Sequence, residues 1–96
     1  MNIIIFGTGI LGRRYFLETR ENVLFFVDND AAMWGRMCEG LNVKSPEVLL
    51  DVAFDKVVVA IANGEPVVAQ LKQMGIPGEK IQVYTVRIKP RRAWRG

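Results

Sequence analysis

Six residues near the start of the chain, Gly7-Thr8-Gly9-Ile10-Leu11-Gly12, constrain its fold more than any other segment. They follow Asn2-Ile3-Ile4-Ile5-Phe6, a β-branched and aromatic run of the kind that forms a buried parallel strand. From Ile10 to about Glu21 the pattern is helical, with Leu11, Tyr15 and one or both of Phe16 and Leu17 facing inward. In a strand–turn–helix unit each glycine has a separate physical reason. Gly7 permits the tight turn, Gly9 leaves room for a pyrophosphate against the backbone, and Gly12 lets the helix pack close to the strand. The helix start supplies free N–H groups and the positive end of its dipole to a phosphate.

A second apolar run, Val23-Leu24-Phe25-Phe26-Val27, stops at Asp28-Asn29-Asp30. Asp28 lies 21 residues after Gly7, at the tip of that strand, where a carboxylate accepts hydrogen bonds from ribose hydroxyls. It also repels a 2′-phosphate, which favours NAD over NADP as the cofactor. The bland alternative is that the glycines serve only strand–helix packing and the pocket is vestigial.

The rest of the chain repeats the alternation. Asp30 is the expected N-cap of a short helical piece, Ala-Ala-Met-Trp-Gly-Arg-Met at 31–37, and a brief strand is expected around Leu41–Lys44. Ser45-Pro46-Glu47 is a helix start, with Ser as cap, Pro in the first turn and an acid behind it. Residues 57–62 are uniformly apolar and read as a central strand, and residues 81–86 alternate like an edge strand. Between them Asn63-Gly64-Glu65-Pro66 opens a last helix with Val67, Val68, Leu71 and Met74 inward, closed by Gly75 and Pro77. The expected fold is therefore α/β: a three-layer Rossmann-like half-fold, with a parallel sheet of about five strands in the order 3-2-1-4-5 and helices on both faces. Residues 1–86 form the domain and residues 87–96 a basic tail or linker.

In such a sheet the ligand lies across the carboxyl ends of the strands, so the segment Ala62-Asn63 after the fourth strand faces the same crevice. Asn63 either touches a base, ribose or sugar hydroxyl or caps the last helix, and Asn29 and Asp30 carry the same ambiguity. The expected cofactor-binding set is Gly7, Thr8, Gly9, Ile10, Leu11, Gly12, Asp28, Asn29, Ala62 and Asn63. Trp34 reads as a packing anchor, and Cys38 as a small core or surface residue.

Composition narrows the chemistry. Histidine is absent and Cys38 is the single cysteine, so neither a Ser-His-Asp or Cys-His mechanism nor a multi-cysteine zinc cluster can be built from this chain alone. Neither Tyr15 nor Tyr84 has the lysine four residues later that a short-chain dehydrogenase pair requires. The net charge of +3 belongs to the tail, where Arg87, Lys89, Arg91, Arg92 and Arg95 cluster. The remaining 86 residues carry eight basic and ten acidic side chains, a net of −2, which argues against nucleic acid as a partner. With no long apolar run, the expected location is the cytoplasm.

The segments Gly7–Arg14 (GTGILGRR), 25–35 (FFVDNDAAMWG), 40–49 (GLNVKSPEVL) and 57–63 (VVVAIAN) together resemble the small Rossmann-like domain of bacterial surface-polysaccharide proteins. That domain precedes the catalytic part of membrane nucleotide-sugar dehydratases and epimerases, and is fused to some glycosyltransferases and methyltransferases. The resemblance spans residues 2–86. It implies an accessory domain that binds NAD(P), a sugar nucleotide or a related nucleotide, with Gly7, Gly9, Gly12, Asp28 and the loop at Asn63 lining the crevice. It also implies a catalytic domain or partner protein elsewhere, because this sequence lacks the dehydrogenase Tyr-Lys pair and the membrane spans. The competing expectations are an interaction module, such as a homodimer joined through the edge strand 81–86 or through Trp34, and an NAD-sensing regulatory domain. A minimal NAD-dependent oxidoreductase would need an acid-base group that the sequence does not supply.

Overall fold

The computed structural model describes residues 1–86; the basic tail at 87–96 lies outside the described residues. Six strands, β1 (Asn2–Phe6), β2 (Asn22–Val27), β3 (Met37–Cys38), β4 (Leu41–Lys44), β5 (Lys56–Val59) and β6 (Ile81–Val83), form one sheet in the order β3-β4-β2-β1-β5-β6. All neighbouring pairs are parallel except β3–β4. The five strands foreseen from the sequence therefore lie in the expected 3-2-1-4-5 order. Met37–Cys38 adds a sixth, where the sequence suggested helix. Gly40 and its neighbour Glu39 take positive φ (82° and 52°), which turns the chain back on itself as a hairpin.

The two helices, α1 (Ile10–Glu18) and α2 (Glu65–Gln73), cover opposite faces. Alternation along β1 decides which residues meet which helix. Ile4 and Phe6 join Val27, Val57, Val59, Val67 and Leu71 under α2, in a core that also takes in Leu49 from the 3-10 turn Pro46–Leu50. Ile5 joins Phe26 and Val43 beneath Leu11, Tyr15 and Phe16 of α1. Leu17 is 72% exposed, so Phe16 alone of that expected pair faces inward. Burying each Ile, Val or Phe of these strands contributes about 1.5–3 kcal/mol relative to exposure.

Several elements are shorter than the apolar patterns suggested. The first helix ends at Glu18 rather than near Glu21, with the Thr19 N–H closing onto the Tyr15 carbonyl. The piece after Asp30 is a 3-10 turn, Ala31–Met33, capped as expected by Asp30 accepting from the Ala32 N–H. Ser45 caps a 3-10 turn and not an α-helix, its Oγ accepting from the Glu47 N–H at 3.4 Å. Strand pairing stops at Val59 and at Val83, so 60–62 and 84–86 are loops. Both loops leave the same end of the sheet, which is where the pocket lies.

Candidate functional site

A cavity of about 780 Å³ opens at the carboxyl ends of β1, β5 and β6. It is lined by three loop segments, Gly7–Leu11, Ala60–Ala62 and Tyr84–Val86, together with Asp28. The first of these is held in shape by two contacts that only glycine allows. Gly7 has φ 120°, and a Cβ there would stand 2.7 Å from the Ala60 carbonyl oxygen. A Cβ on Gly12 would overlap the Gly7 carbonyl oxygen, so the helix starts directly against the turn that precedes it. The turn is fixed further by the Gly7 N–H donating to the Val27 carbonyl at 2.8 Å.

Gly9 is different. Its backbone is ordinary (φ −82°, ψ −159°), it is exposed, and a Cβ there would meet no atom within 4 Å. It is the N-cap of α1 and offers no side-chain cap. The N–H groups of Gly9, Ile10, Leu11 and Gly12 have no intrahelical acceptor, and they find no other protein acceptor among the described residues. No acidic side chain stands in the first turn to occupy them. Four donors and a positive dipole end thus face a cavity whose other walls, Ile10, Ala60, Ile61, Ala62 and Val86, are apolar.

Asp28, at the end of β2, reaches back to this turn. Its Oδ2 accepts from the Thr8 N–H at 3.0 Å and from the Thr8 hydroxyl at 2.8 Å, and its Oδ1 accepts from the Asp30 N–H at 2.8 Å. The Trp34 indole N–H donates to the Asp28 carbonyl at 2.7 Å. Trp34 is therefore a hydrogen-bonded tether, 42% exposed, rather than the buried anchor expected of it.

Seven of the ten residues expected at the site line this cavity: Gly7, Thr8, Gly9, Ile10, Leu11, Asp28 and Ala62. Gly12 lies beneath it as a packing position. Asn29 is outside the lining and makes a paired amide contact with Gln70 of α2, donating at 2.8 Å and accepting at 2.9 Å. Asn63 is also outside, and the N-cap of α2 is Gly64, which has no side-chain cap bond. Its expected capping role is thus not realised.

Tyr84, Thr85 and Val86 belong to the lining and were not among the expected residues, because a strand running to residue 86 would have carried them along the sheet edge. Instead Tyr84 turns onto α1. Its hydroxyl donates to Glu18 Oε1 at 2.7 Å, and its ring meets Tyr15 edge-on at 4.9 Å between centroids. That hydroxyl, and then the Arg14 guanidinium on Oε2 (3.1 Å), hold the Glu18 carboxyl below its usual range. The alternation of Tyr84 with its neighbours was the only sequence signal, and it pointed to strand. Cys38 is buried under the α1 face, and burial pushes its thiol up against the opposing pull of Arg13, as suits a packing residue. Among the described residues no three His, Cys, Asp or Glu side chains converge on a metal position. No helix among them is long and apolar enough to cross a membrane.

With this geometry in place the comparisons can be read. A family model described as C2185-like, N-terminal, matches residues 1–82. The chain belongs to that family. No curated protein sequence matches it significantly. Among solved structures, the C2185-like N-terminal domain is similar to UDP-D-quinovosamine 4-dehydrogenase from Vibrio fischeri, with TM-score 0.63 and 15% identity over 85% of this chain and 74% of that one. It is also similar to RSP, a Rex-family repressor, solved in complex with β-NAD⁺ and operator DNA (TM-score 0.62, 19% identity, 88% of this chain and 50% of that one). A complex of RSP with β-NADH gives the same TM-score over 90% of this chain. The domain spans about half the length of RSP. At these identities the likeness establishes the Rossmann-like fold of the C2185-like N-terminal domain.

Proposed function

We propose that this chain is a nucleotide-binding accessory domain that takes NAD(H) or a sugar nucleotide and serves sugar-nucleotide or surface-polysaccharide metabolism without being catalytic alone. The observation that carries the reading is Gly9. Nothing in the protein's own packing demands glycine there, yet the residue caps a helix whose free N–H groups open onto the cavity. A pyrophosphate approaching those groups supplies the missing reason. Asp28 keeps one unused acceptor site on Oδ1 for a ribose hydroxyl, and its charge disfavours a 2′-phosphate, so NAD is preferred to NADP. The dehydrogenase neighbour named for a UDP-sugar supports the metabolic setting. In this reading the domain works in the cytoplasm, and residues 87–96 link it to a catalytic domain or partner.

A second reading, an NAD-sensing regulatory domain, is favoured by the likeness to RSP, a repressor solved with both NAD⁺ and NADH. An amide NMR titration with NAD⁺, NADH, NADP⁺, a UDP-sugar, coenzyme A and S-adenosylmethionine tests both. Shifts confined to Gly7–Gly12, Asp28 and Ala60–Ala62 with NAD(H) or the UDP-sugar are expected. A marked preference between NAD⁺ and NADH favours the sensor. Silence across the panel from a folded protein overturns both and leaves an assembly module with a vestigial pocket.

A further inference from the structure

We propose that Asp28 acts first as a positioning residue, setting the shape of the Gly7–Gly12 turn through Thr8, and only second as a ribose contact. The inference rests on the nucleotide-binding reading above and concerns how that site is kept ready. Thr8 is the one buried polar residue among the described residues, 6% exposed, and each of its polar groups has a partner. Its N–H and hydroxyl both donate to Asp28 Oδ2, and its carbonyl accepts from the Arg13 Nε–H at 3.3 Å. A carboxylate offers about four acceptor sites. Thr8 takes two on Oδ2 and the Asp30 N–H takes one on Oδ1. The acid is thus mostly committed inside the protein before any ligand arrives.

The consequence is mechanical. Thr8 sits between Gly7, which is locked against Ala60, and Gly9, which is locked against nothing. Bonds from Asp28 to Thr8 therefore determine where the Gly9 and Ile10 N–H groups point. The same carboxylate also holds Asp30, the cap of the following 3-10 turn, so the two loops bordering that side of the pocket move together. Charge-assisted bonds of this kind are about twice as strong as neutral ones, which suits a contact that must hold a glycine-rich turn in one shape.

A double-mutant cycle separates positioning from direct contact. In NADH titrations, Thr8→Val is expected to weaken binding about tenfold although its side chain would not touch a ribose. Asp28→Ala should weaken binding at least as much, and the double variant should match Asp28→Ala within about twofold, because both changes remove one shared interaction. Thr8→Ser, which keeps the hydroxyl, should restore wild-type affinity. Wild-type affinity in Thr8→Val beside a weak Asp28→Ala would overturn the proposal in favour of direct ribose contact alone. Amide hydrogen exchange without ligand reads the same device independently. Asp28→Ala should speed exchange at Thr8 by about tenfold or more, and unchanged exchange there would sink the positioning role. If the wild type binds no nucleotide, the functional reading falls while the exchange result still decides the role of Asp28.

Discussion

The two helix starts at the ligand end of the sheet have the same caps and opposite uses. Both α1 and α2 begin at a glycine, Gly9 and Gly64, and neither has a side-chain cap bond. At α2 the chain answers its own dipole: Glu65 stands in the first turn and Pro66 removes a donor that would otherwise need a partner. At α1 there is no acid and no proline, and the free donors line a cavity. A helix end that satisfies itself is structural, whereas one left unsatisfied beside open space is suited to an anion from outside. The two turns also differ in why they contain glycine. Gly64 has a Cβ position 3.0 Å from a Val59 methyl, whereas Gly12 has none at all because the Gly7 carbonyl occupies it.

The largest effect should come from the packing glycine of the α1 turn. Gly12→Val is expected to destabilise the domain by about 3 kcal/mol or more, read from a urea denaturation midpoint, because backbone cannot yield as a side chain does. Gly64→Ala at the other turn should cost about 1 kcal/mol or less. Equal losses at the two sites would mean that the α1 turn is not locked as described.

Next comes the glycine without a packing role. Gly9→Val should lower nucleotide affinity by about a hundredfold, or abolish it, while changing stability by less than about 0.5 kcal/mol. Calorimetric titration beside thermal unfolding separates the two effects, and full affinity in this variant would refute the phosphate-turn assignment. A smaller change makes α1 resemble α2. Ile10 is 85% exposed, so Ile10→Glu places a carboxylate in the first turn without disturbing the core. It should raise stability by a few tenths of a kcal/mol and weaken nucleotide binding about threefold. Affinity that rises instead would mean the helix start does not receive an anion.

The smallest expected effect lies at the far wall, where Tyr84 meets Glu18. The Glu18 carboxyl is held below its ordinary range, first by the Tyr84 hydroxyl and then by Arg14. A depressed folded-state value means that the contribution is complete above the unfolded value and is lost as pH falls through the folded one. Tyr84→Phe should move the Glu18 titration, followed by carboxyl-carbon NMR, back toward the ordinary glutamate range. No movement would show that Arg14 alone holds it.

Much of this was legible beforehand because short-range rules sufficed. Asn2–Phe6, the glycine turn, the acid at the end of β2 and the Ser-Pro-Glu start each carry local signals that need no partner to interpret. Strand order followed as well, since parallel strands joined by right-handed crossovers leave few arrangements. The errors share one cause. Whether 60–62 and 84–86 continue as strand depends on what lies beside them: pairing between β5 and β6 stops at Val59 and Val83, and an apolar run cannot announce where its neighbour ends. Trp34 and Met37 were likewise assigned by composition to a helix that the hairpin at Glu39-Gly40 replaced.

The sequence by itself determined the architecture and the position of the pocket's first wall, because hydrophobic period, glycine spacing and caps act within a few residues of one another. Only the tertiary structure decided which glycines pack and which leave space, that Asp28 is bound mainly to Thr8, and that Tyr84 closes onto α1. Those outcomes depend on contacts between residues 20 to 66 positions apart, and local sequence does not encode the distance between two side chains until the sheet has brought them together.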